Sequence, residues 1–98
     1  MSFLPKFGTG QLLATPAALA AIEESGQQPL DFLELHARGE WGQICLDDCK
    51  VNELALQTGA RLLSAYVTLR GVRLWIITEA ADDLGRRPAT TIILPEEY

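Results

Sequence analysis

Histidine occurs once in these 98 residues, at His36, so a metal centre built on several imidazoles is excluded. Cysteine occurs twice, and Cys45 and Cys49 lack the Cys-x-x-Cys spacing of a zinc ribbon. In a reducing cytosol they read as two half-buried thiols rather than a disulfide. No metal and no cofactor are expected. A Gly-rich phosphate loop, a His-Glu-x-x-His helix and a Gly-x-Ser-x-Gly elbow are all missing, and Gly8-Thr9-Gly10 is only a loop. No stretch approaches the roughly 20 apolar residues of a membrane helix. Positive charge is also scarce: eight Lys and Arg against thirteen Asp and Glu give a net charge of -5, a field that opposes a phosphate backbone. Cations gather locally at Arg61, Arg70 and Arg73 and at Arg86-Arg87, so a small basic patch remains open. The acidic pairs Glu23-Glu24, Asp47-Asp48, Asp82-Asp83 and Glu96-Glu97 read as solvated helix ends or loops. Met1-Ser2-Phe3-Leu4-Pro5-Lys6 has neither a basic region followed by an apolar one nor a cleavage site, and reads as a mature, cytoplasmic start. Repeats, low-complexity segments and linkers are missing, which makes residues 1–98 one domain.

What is present is a strand-rich C-terminal third. Arg61 to Leu69 and Val72 to Thr78 are rich in β-branched and aromatic residues, with Arg70-Gly71 between them as a two-residue hairpin turn. That closure sets Leu69 opposite Val72, Val67 opposite Leu74, Ala65 opposite Ile76 and Leu63 opposite Thr78, so this face is expected to bury. Ser64, Tyr66 and Thr68 then share the other, mixed face with Arg73, Trp75 and Ile77. Ala89 to Leu94 makes a third strand, stopped by Pro95.

Helices precede these strands. Thr15-Pro16 is a helix start, followed by Ala17 to Ser25 and stopped by Gly26. Before it, Gln11 to Ala14 reads either as a short edge strand or as a lead-in. A second helix runs from Pro29 to about Arg38, with Leu30, Leu33 and Ala37 on one side. A third has Asp47 as cap, Leu46 stapled onto Val51, and Val51, Leu54, Ala55 and Thr58 on one face, ending at Gly59. The expected fold is α+β, with N-terminal helices packed on an antiparallel meander of about three strands.

Leu12 through Pro16, Glu40-Trp41-Gly42, Asn52 through Leu56, Arg61 through Tyr66, Ile76 through Ala80 and Thr90 through Tyr98 carry a resemblance. The chain resembles small bacterial proteins of plasmids and other mobile elements, often labelled plasmid-related protein and sometimes type I restriction subunit. The resemblance implies a genomic setting and no reaction. The family pattern passes quickly through an Asp-Arg pair into the last strand, whereas Asp82-Asp83-Leu84-Gly85-Arg86-Arg87-Pro88 makes a longer loop here. Asp82 or Asp83 with Arg86 would be the nearest equivalents.

His36 lies near the end of the second helix, where the helix dipole favours a protonated imidazole. The most enzyme-like set is Glu79 as base, His36 as acid and Arg86 or Arg87 for phosphate charge, with Ser64 or Tyr66 nearby; such a set would suffice for metal-free RNA cleavage of a barnase-like or RelE-like kind. Trp41, beside Gly42, has the character of an anchor for a core or a partner, and Trp75 alongside Tyr66 that of a packing residue. The leading expectation is a non-enzymatic accessory protein that binds another protein or itself, with Trp41, Tyr66, Trp75, Asp82, Arg86 and Arg87 as contact candidates. The alternatives are an inhibitor of a host defence system (anti-CRISPR or anti-restriction) acting through an acidic surface, and the small nuclease.

Overall fold

Thr15 starts the first helix as its side chain requires: the hydroxyl oxygen accepts from the Ala18 N–H at 3.2 Å, and Pro16 occupies the first turn. The structure, a computed structural model, describes residues 5–98; Met1 to Leu4, and with them the start of the segment read as a mature N-terminus, lie outside the described residues. In chain order the elements are β1 (Gln11–Ala14), α1 (Pro16–Glu24), α2 (Pro29–Ala37), α3 (Leu46–Thr58), β2 (Leu62–Val67), β3 (Arg73–Thr78) and β4 (Ala89–Ile93), followed by a 3-10 turn at Pro95–Glu97. This is an α+β fold with helices mostly N-terminal and strands mostly C-terminal. The sheet is mixed, in the order β1-β4-β3-β2: the expected antiparallel meander is present, and β1 joins its far side in parallel to β4.

The hairpin register differs from the expected one by a single residue. Leu62 pairs with Thr78, Ser64 with Ile76 and Tyr66 with Leu74. The cause is the loop, which has three residues rather than two. The Thr68 carbonyl accepts from Gly71 N–H at 2.9 Å, the Thr68 N–H donates to the Val72 carbonyl at 2.9 Å, and the Thr68 hydroxyl oxygen accepts from Val72 N–H at 3.1 Å. Gly71 closes this loop in the left-handed region at φ +85°, the glycine bulge of three-residue hairpins. One residue of slip turns every side chain of β2 over. Leu74, Ile76 and Thr78 of β3 bury against the helices as expected, but their β2 partners are Leu62, Ser64 and Tyr66 instead of Leu63, Ala65 and Val67. Tyr66 therefore belongs to the core with Ile22, Phe32 and Ile92, not to the outer face.

Two helix faces also depart from expectation. On α2 the core takes Phe32, Leu33, His36 and Ala37, while Leu30 stays 53% exposed. On α3 the cap residue is Cys45, Asp47 and Asp48 fall in the first turn, and the buried residues are Asn52 and Ala55; Val51 and Leu54 are 60% and 61% exposed. Asn52 explains this rotation. Its Nδ2 donates to the Leu63 carbonyl at 2.7 Å and its Oδ1 accepts from the Leu63 N–H at 3.2 Å, so the amide takes the place of a neighbouring strand along β2. A face carrying that amide must turn inward, and the apolar Val51-Leu54 face turns out.

Candidate functional site

The sheet brings together a line of hydroxyls from three separate strands. Ser64 on β2, Thr78 on β3 and Thr90 on β4 all point to the helix side and are fully buried. His36, fully buried on α2, reaches down between them: Nδ1 lies 2.5 Å from Ser64 Oγ and Nε2 lies 2.8 Å from Thr78 Oγ1. Thr78 Oγ1 is 2.8 Å from Thr90 Oγ1, and the Thr90 hydroxyl donates to the Thr9 carbonyl at 2.7 Å.

The last acceptor orients the whole chain of bonds. A carbonyl can only accept, so Thr90 spends its proton on Thr9 and must accept from Thr78. Thr78 has then used its own proton, so it accepts from His36 Nε2–H, and Nδ1 is left to accept from Ser64. His36 is thus the neutral Nε2–H tautomer. Burial, with the Arg87 charge adding to it, pulls its pKa down to about 4. Phe7 and Trp41 close over the ring edge-on, with centroids 5.3 Å and 5.7 Å from it.

Arg87 lies beside this roof, its guanidinium over Phe7 at 5.8 Å from the ring centroid. No carboxylate pairs with it among the described residues. Its Nη1 donates to the Ala60 and Glu79 carbonyls at 2.7 and 3.0 Å, and its Nη2 to the Ala55 carbonyl at 3.1 Å. Ala55 is in the last turn of α3, where its carbonyl also accepts from the Gly59 N–H and the negative end of the helix dipole favours a cation. Burial lowers the pKa of Arg87. Next to it a polar cleft of about 420 Å³ is lined by Lys6, Gln57, Thr58, Asp82, Asp83 and Arg87 among others.

The residues singled out in the sequence fall into three groups. Trp41, Tyr66 and Arg87 are buried and bonded internally: Trp41 Nε1 donates to Glu53 at 2.9 Å and the Tyr66 hydroxyl to the Glu40 carbonyl at 2.6 Å, with burial pushing the Tyr66 pKa up to about 12. Trp75 is half-buried on the face away from the helices, edge-on to Tyr98 at 5.6 Å, and Tyr98 in turn accepts from Arg61. Asp82 and Arg86 are exposed and paired. Asp82 Oδ1 accepts from the Leu84 and Arg86 N–H groups at 2.9 and 2.8 Å, and Oδ2 lies 3.4 Å from Arg86 Nε. The backbone bond from Arg86 is the main reason that the Asp82 carboxyl titrates below its ordinary value. Asp82 and Arg86 together close the loop into the last strand.

The nuclease set is not assembled. Glu79 and Arg86 are on the surface, whereas His36 has both ring nitrogens engaged inside. Ser64 and His36 have the contact of a nucleophile and base, yet neither is open to a substrate. Among the described residues no three His, Cys, Asp or Glu side chains converge as metal ligands, and Cys45 and Cys49 are free thiols. Sequence reasoning missed Thr9, Asn52, Thr78 and Thr90. The available signal was the polar residue at every second strand position, Ser64-Tyr66-Thr68, which the sequence reading placed on a mixed face away from the core. Searches against protein-family models, curated proteins and solved structures found no match to this chain.

Proposed function

We propose that this chain is a non-catalytic accessory protein that works by binding another protein. The observation that supports it most is an inversion: reactive side chains such as His36, Ser64, Tyr66 and Arg87 are consumed inside, while large apolar side chains such as Leu12, Leu13, Leu30, Val51 and Leu54 stand outside. An enzyme needs the first set accessible; a binding module needs the second. The mobile-element setting, and with it a cytoplasmic site of action, is supported by the sequence resemblance. The test is affinity capture of the tagged full chain from the native host, followed by reconstitution with the purified partner. Reconstitution at fixed stoichiometry, lost in Leu30→Asp or Leu54→Asp variants that melt like the wild type, is the expected result. A host defence protein in that complex would assign the inhibitory role. Cleavage of RNA by the pure protein in EDTA, abolished in a folded Glu79→Gln variant, would overturn the reading in favour of the nuclease.

A further inference from the structure

The two edges of the sheet are finished differently. On β2 the outward groups of two of the three outward residues are covered, those of Val67 at the hairpin end being the exception: Asn52 takes Leu63, while the Ala65 N–H donates to the Trp41 carbonyl at 3.1 Å and the Ala65 carbonyl accepts from Gln43 N–H at 2.6 Å. On β1, the Gln11 N–H donates to Pro88 and the Thr15 N–H to Ile92, each at 3.0 Å, so residues 11, 13 and 15 face β4. Leu12 and Ala14 therefore turn their N–H and C=O groups away from the sheet. No described residue bonds to these four groups. Nor does β1 carry a proline, a charge or a bulge, the usual protections of an edge. Its surroundings are apolar: Leu12 and Leu13 are 47% and 42% exposed, and a cleft of about 340 Å³ lined by Phe7, Leu12, Leu30 and Leu33 flanks the strand.

We propose that β1 pairs antiparallel with β1 of a second copy across a two-fold axis, joining the two sheets into one. The spacing of the free groups selects this occupant. With Leu12 opposite Ala14 of the partner subunit, and the reverse, all four outward groups of each copy are satisfied at once. Neighbouring symmetric registers, centred on Leu12 or on Ala14, satisfy only half. The chosen register also sets a large side chain beside a small one on the helix side and brings the two Leu13 side chains together on the other face. The inference rests on the reading that the chain acts through protein contact, but a monomer would leave that reading standing, because reconstitution with a second protein tests it separately.

Sedimentation equilibrium of the full chain, from micromolar to submillimolar concentration, is expected to give a mass approaching twice that of the monomer. Leu12→Pro removes an outward N–H without touching the ladder to β4, and should weaken the dimer at least about tenfold. Leu13→Cys, in a Cys45→Ser and Cys49→Ser background, should form an intermolecular disulfide on mild oxidation, since directly opposed residues of a non-hydrogen-bonded pair have Cα atoms about 4.5 Å apart. A wild type that stays monomeric throughout overturns the proposal. So does a dimer in which Leu13→Cys fails to cross-link, whatever the folding of the proline variant.

Discussion

Acid should destabilise this protein through His36. The ring is neutral and enclosed, with a pKa near 4 against 6.5 for an ordinary histidine. Because the native value is depressed, the unfolded chain binds more protons as pH falls, so the stabilisation is complete above pH ~6.5 and is lost on the way down to ~4. At 1.36 kcal/mol per unit, the full loss is about 3 kcal/mol. That is a large part of the stability of a chain this size. The cost is desolvation of an imidazolium, with Arg87 adding repulsion; the hydrogen bonds themselves can adapt, since Ser64 can accept as readily as it donates. Urea denaturation at several pH values between 7.5 and 4.5 should show the midpoint falling steadily below pH ~6.5. In His36→Gln the protein should be weaker at neutral pH, yet nearly flat across that window. Asp82 and Glu97 also titrate below their ordinary values and act in the same direction, but at lower pH. A ring resonance titrating near 6.5 in the folded protein, or a wild-type slope equal to that of His36→Gln, would refute the reasoning.

Trp41→Ala should cost about 3 to 5 kcal/mol in denaturation midpoints, because the ring is buried against Phe7 and His36. Trp75→Ala, which removes a half-buried ring, should cost clearly less; equal losses would show that the outer face is covered as tightly as the core. Gly42→Ala is expected to destabilise by at least ~2 kcal/mol, since a Cβ there would overlap the Ala65 carbonyl and the Tyr66 ring and φ is +76°. Gly71→Ala, with φ +85° but open space around it, should cost only ~1 to 2 kcal/mol by the same measurement. Asn52→Leu should lose about 2 to 3 kcal/mol by orphaning the Leu63 N–H and C=O, and hydrogen exchange at Leu63 should accelerate; unchanged protection there would mean that water replaces the amide at no cost.

The helix ends other than the start of α3 were legible in the sequence because they are local chemistry. Thr15 accepts from a backbone N–H three residues on, Pro16 and Pro29 fit a first turn that needs no donor, and Gly59 adopts the left-handed turn at the end of α3. The strands were legible from their composition, and with them the α+β class. The candidate site was legible only where its partners are neighbours, as in Asp82 with Arg86. His36 is near the end of its helix, as its position says, but the dipole reading presumed a ring in water, and this one is inside among residues 28 and 42 positions away.

What the amino-acid order alone determines here is the type and rough extent of the helices and of the three C-terminal strands, since those choices rest on backbone groups a few residues apart; the start of α3, the length of the hairpin loop and the pairing of β1 lay beyond it. Tertiary structure decided which face each element buries. A single hydroxyl, that of Thr68, accompanies the longer loop and inverts β2; one amide, that of Asn52, turns α3; and β1 finds β4 across more than seventy residues of chain. Each outcome follows from satisfying buried backbone and side-chain polar groups with partners that only folding brings near, and hydrophobic periodicity carries no record of where those partners are.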